Sequence, residues 1–164
     1  MRYLLLALLG LLILLGPGQA VAGPPMTAAD ENVGPVSLWM PAADVRKALG
    51  PPASRGTWVT EAASGQQVQE WRYPARGLTI TMSRASEEEA AQVDRFRVQA
   101  PSRDATSRGI RIGDPAEKVR KAYAGLLSSE STSSSLVVGS VYDGVIFTLE
   151  RGRVTEIFVG AAAE

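Results

Sequence analysis

VSLWMPAADVRKALG (Val36 to Gly50), set over IRIGDPAEKVRKAYA (Ile110 to Ala124), is the stretch that decides how this chain reads. Pro41 meets Pro115, Ala42 meets Ala116, and Val45-Arg46-Lys47-Ala48 meets Val119-Arg120-Lys121-Ala122. Two further blocks recur in the same order: Gly77 to Met82 over Gly144 to Leu149, then Val93 to Val98 over Val154 to Val159. Three blocks that return in the same order are the mark of an internal repeat.

Each unit reads as one helix followed by strands. In the second, Asp114 is placed as an N-cap, Pro115 suits the first helical position, and Glu117 stands where it can bond back to the cap. Ala116, Val119 and Tyr123 recur at spacings of three and four, which is one helix face. Ala42, Val45 and Leu49 make the same stripe in the first helix, which stops at Gly50-Pro51-Pro52 and has no capping side chain at Met40. The strands alternate with period two: Leu78, Ile80 and Met82 against Thr79, Thr81 and Ser83, with Val145, Phe147 and Leu149 repeating the buried phase. Gln67 to Tyr73 and Leu136 to Tyr142 are expected as further strands, with a short one near Trp58. Asp143-Gly144 and Arg151-Gly152 read as tight hairpins, and Arg84 to Gln92 as a longer acidic connection. The expected fold is α+β: two tandem repeats of one helix followed by a three-stranded antiparallel meander, with the helices packed on one sheet face.

Outside the repeats, Met1 to Ala22 (MRYLLLALLGLLILLGPGQAVA) has a basic start, an apolar run from Leu4 to Leu15 and a small-residue end, the pattern of a secretory signal peptide cut near Ala22. The 12-residue apolar run falls short of the roughly 20 residues of a spanning helix. An exported chain, periplasmic or extracellular, follows, with no stable membrane insertion after cleavage. Residues 23–35 read as a flexible leader, 36–100 as the first repeat, 101–109 as a linker, 110–160 as the second repeat and 161–164 as a tail.

Of the 164 residues none is Cys or His, and 17 Lys and Arg balance 17 Asp and Glu. That excludes a thiol nucleophile, a disulfide framework, a zinc finger and a Ser-His-Asp triad. Near-zero net charge argues against a nucleic-acid partner. No cofactor or metal is expected: Glu87-Glu88-Glu89 are consecutive and read as a solvated loop. Ser128 to Ser135 lacks a positioned base and reads as a flexible loop. A carboxylate hydrolase needs two acids across a cleft, one of them buried, whereas Glu70 and Glu156 fall in the exposed strand phase.

Three motifs, Ala43-Asp44-Val45-Arg46-Lys47-Ala48-Leu49-Gly50-Pro51, Trp71-Arg72-Tyr73 and Thr106 to Asp114, give the chain a family likeness. From Val36 to Gly160 it resembles the beta-lactamase-inhibitor-like fold, shared by tandem-repeat secreted inhibitors and the SmpA/OmlA small outer-membrane lipoproteins. The resemblance implies a non-catalytic domain whose sheet face and loops dock on another protein. The lipid-anchor cysteine and the inhibitors' disulfides have no counterpart here.

The expected working surface is therefore the wet sheet face: Arg72, Thr79, Thr81, Arg95 and Arg97 in the first unit, and Ile146, Thr148, Glu156 and Phe158 in the second. Ile146 and Phe158 would form an apolar patch among polar groups, with arginine and aromatic anchors of the kind that dominate protein interfaces. The competing reading is that the other unit, the leader or a second copy of the chain covers this face. A protein partner, as adaptor or inhibitor target, is the leading functional expectation. The alternatives are a structural accessory of cell-envelope assembly and, more remotely, the hydrolase.

Overall fold

The computed structural model describes residues 27–162; the segment read as a signal peptide, the first residues of the expected leader and residues 163–164 lie outside the described residues. A 3-10 turn at Ala28–Asp30 leads to a small hairpin of β1 (Asn32–Val33) and β2 (Val36–Ser37), then helix α1 (Ala42–Leu49). Two short strands, β3 (Ser54–Arg55) and β4 (Val59–Thr60), precede the long β5 (Gln67–Tyr73), β6 (Leu78–Arg84) and β7 (Gln92–Gln99). Helix α2 (Ala116–Ala122) then leads into β8 (Ser135–Gly139), β9 (Gly144–Glu150) and β10 (Arg153–Gly160).

The α+β expectation is corrected by this architecture. The described chain is mostly β, with ten strands in two antiparallel sheets and two helices of only eight and seven residues. It is not a repeat of one helix plus a three-stranded meander. All strands beyond β1 and β2 belong to a single sheet in the order β3-β5-β6-β7-β10-β9-β8, with β4 also pairing β5. The sequence blocks read as separate units meet at its centre, where β7 and β10 pair with Phe96 opposite Val159 and Val98 opposite Ile157. Neither helix has a side-chain cap. The expected capping box fails because the Asp114 carboxylate is occupied by the Arg111 N–H at 2.8 Å and Lys118 Nζ at 2.7 Å, so the helix starts after Pro115.

One face of the sheet is the core. Leu78, Ile80, Met82, Phe96, Val98, Val145, Phe147, Leu149, Ile157 and Val159 are buried there with Val45 of α1 and Val119 of α2. Tyr123, just after α2, tilts onto Phe147 with ring centroids 5.2 Å apart. The hairpin predicted at Arg151-Gly152 is present, both residues taking positive φ (50° and 73°), as a primed two-residue turn requires.

Two segments read as flexible are built into the fold. From Thr27 onward the leader is packed: Ala28 and Val33 are in the core, and the buried Glu31 carboxylate accepts bonds from the Asn32 N–H (3.1 Å), the Ser107 N–H (2.7 Å) and the Tyr123 hydroxyl (2.5 Å). Three donors on one carboxylate offset the cost of burying its charge. The serine tract covers the outer edge of β8. Ser131 Oγ bonds both the carbonyl (3.3 Å) and the N–H (3.0 Å) of Val137, and the Ser128 N–H donates to the same carbonyl at 2.8 Å. The Ser131 hydroxyl and the Ser128 N–H here do the work of a further strand, covering part of an edge that would otherwise be open to pairing.

Candidate functional site: the open sheet face

Strand alternation sends every second side chain away from the core, and the register fixes which of them become neighbours. Pairing places Arg72 opposite Thr79, Thr79 opposite Arg97, Arg97 opposite Phe158, and Phe158 opposite Ile146. That is one row across five strands. A second row runs from Gln99 through Glu156 to Thr148, and a third from Glu70 through Thr81 to Arg95. All nine predicted face residues therefore lie on one side of one sheet.

Arg97 and Phe158 form a ridge at the middle of this face. The guanidinium lies 5.9 Å from the Phe158 ring centroid, and its Nε is 3.1 Å from Glu156 Oε2, which also accepts from Gln99 Nε2 at 2.7 Å. A hollow of about 430 Å³ lies on one side, lined by Arg95, Ile146, Glu156 and Ala161 along with the ridge. On the other side a hollow of about 230 Å³ is lined by Glu70, Thr79, Thr81 and Arg95. Arg72 pairs with Glu70 in the outer part of the face, and both remain well exposed.

The structure alters the expected apolar patch. Phe158 is only 9% exposed, with the Arg97 guanidinium 5.9 Å from its ring centroid, and Ile146 is half-buried. What the face offers is a guanidinium resting on an aromatic ring, with apolar surface beneath it.

Sequence reasoning missed the features beside this face. Arg95 bridges Glu61 (2.6 Å) and Asp94 (2.7 Å). Asp94 is the extra residue of a β-bulge: Thr81 pairs with Arg95 but Met82 pairs with Val93. Bulges re-aim side chains, and this one turns Asp94 into a cleft of about 440 Å³ also lined by Trp39, Tyr142 and Gly160. Burial pushes the Asp94 carboxyl above its usual pKa, with Arg95 pulling the other way. Trp39 (54% exposed) and Tyr142 (64%) flank the cleft, and Trp39 sits at φ 63°, an uncommon conformation for a bulky side chain. Gly160 is required there, since a Cβ would come within 2.6 Å of the Arg95 Cβ. The signal for the bulge was the Val93-x-x-Phe96 spacing, which breaks period two; nothing local marked Trp39.

Glu31, the buried carboxylate, faces the core network rather than a cleft. Among the described residues no group of three or more acidic, His or Cys side chains is placed to hold a metal, and no helix is long and apolar enough to cross a membrane. Compared with known protein families, curated proteins and solved structures, the chain matches none.

Proposed function

We propose that this chain is an exported, non-catalytic binding module that docks another protein on the open face of its sheet. The observation that carries the reading is the Arg97–Phe158 ridge between two hollows, at the centre of a face that α1 and α2 leave uncovered. Arginine and aromatic side chains are the usual energetic centres of protein interfaces, and hollows beside them supply complementary shape. The long strands hold the ridge in place, so little ordering cost attends binding. Export rests on the Met1 to Ala22 pattern, and the likeness to the inhibitor-like proteins points to the same mode of action.

The test is affinity capture from envelope and culture-fluid fractions with the parent, Arg97→Glu and, on the opposite side of the molecule, Lys47→Glu. A partner retained by parent and Lys47→Glu but lost with Arg97→Glu supports the reading. A partner retained by Arg97→Glu removes the sheet face from it.

A further inference from the structure

A second group of arginines lies on the helix side of the sheet, away from the open face. Arg46 of α1 and Arg55 of β3 converge on one indole: their guanidinium carbons are 5.7 Å and 4.6 Å from the Trp71 ring centroid. Trp71 is buried, with its own N–H donated to Gln69 Oε1 at 2.7 Å, so the ring is a fixed platform. Among the described residues neither the Arg46 nor the Arg55 guanidinium makes a hydrogen bond or an ion pair, although the Arg46 carbonyl accepts the Gly50 N–H at 2.9 Å. That sets them apart from Arg72, Arg95 and Arg97, each of which has a carboxylate.

Both side chains line a groove of about 350 Å³ between α1, Trp58, β5 and Ala90-Ala91. No acidic residue lines it, and the exposed Glu87, Glu88 and Glu89 stay outside. Arg84 stacks on Trp58 at 4.1 Å, adding a third guanidinium at the wall. Positive potential extends to the Tyr73 phenol, which burial raises and which Arg55, Arg46 and Arg76 pull back down.

Arg46 and Arg55 are exposed and hydrated, yet both stack on one ring and line one groove with an aromatic wall and no acid, an arrangement that suits an anion carrying two negative charges. A monocarboxylate neutralises one guanidinium and leaves the other unmatched. A phosphate monoester matches both, and its oxygens suit the paired donors of the guanidinium fork. We propose that the groove between α1 and Trp58 binds a soluble phosphomonoester, with Arg46 and Arg55 holding the phosphate and Trp58 walling the organic group.

The site is independent of the open face, so failure here leaves the protein-docking reading intact. The test is titration of the purified protein with inorganic phosphate, phenyl phosphate and acetate at constant ionic strength, followed by indole fluorescence and by the tryptophan N–H signals in NMR. Saturable binding of both phosphates is expected, tighter for phenyl phosphate, with acetate at least about tenfold weaker. Arg46→Gln and Arg55→Gln should each weaken phosphate about tenfold. The double Lys variant, which keeps charge and side-chain stem but loses the fork, should fall between parent and the Gln variants. Thermal melts coinciding with the parent's show that the variants are folded. If the Gln variants melt early, the Lys pair decides the question. A response that does not saturate and equals that of matched chloride, or a saturable one unchanged in the variants, overturns the assignment.

Discussion

The two faces of the central sheet are made by the same strands yet held together differently. On the closed face, Ile80, Phe96, Phe147 and Ile157 are buried with no polar contact to satisfy, so their energy comes from area and close packing. On the open face, Arg72, Arg95 and Arg97 each lean on a carboxylate, and Arg97 also covers an aromatic ring. The more exposed of these pairs, those of Arg72 and Arg97, contribute about 0–1 kcal/mol each. The open face can therefore change its chemistry at little cost to the fold, which is the condition for a surface that evolves toward a partner.

The comparison breaks most readily at its strong end. Phe147→Ala should destabilise the fold by about 3–5 kcal/mol, read from urea unfolding, whereas Arg97→Gln should cost less than about 1 kcal/mol. Equal losses would mean that the open face also carries the fold. Next in size is the polar tie beneath the closed face. Tyr123→Phe removes a donor from Glu31 and from the contact with Thr106, and should cost about 1–3 kcal/mol. Ser131→Ala should cost about 1 kcal/mol and speed amide exchange along β8, because the edge loses the hydroxyl that bonds both groups of Val137.

The smallest effect concerns pH. Burial raises the Asp94 carboxyl in the folded state above its unfolded value near 3.8, so the native state binds its proton more tightly. Stability from this group is full below the unfolded pKa and is lost as pH rises through the raised folded one. Asp94→Asn should flatten that acid-side decline and leave the rest of the profile in place. A steeper decline in the variant would contradict the sign.

How much of this could be read from the residues depends on the range of the interactions involved. Period-two alternation in Leu78 to Met82 and Val145 to Leu149 is a local signal, and it placed the closed-face side chains correctly. The same phase put Arg72, Thr79, Arg97, Phe158 and Ile146 on one side, and the register then made them neighbours. The fold class was misjudged because helix-like spacing around Val45 and Val119 produced only short helices, and because the pairing of β7 with β10, which joins the blocks into one sheet, is long-range. Glu31 looked like solvated leader chemistry because its partners stand 76 and 92 residues away. Arg46 is exposed, and its meeting with Arg55 and Trp71 exists only in three dimensions, so no local pattern announces it.

The absence of cysteine from the chain offers the most direct test of the central claim, that the open face is the docking surface. A single Cys introduced at Thr79, in the central row, and another at Lys47, on α1, can each be coupled to a bulky maleimide. Affinity for the captured partner is then measured before and after coupling. The predicted result is loss of binding only when the tag sits at position 79; binding that survives there, or that is lost only at position 47, contradicts the account.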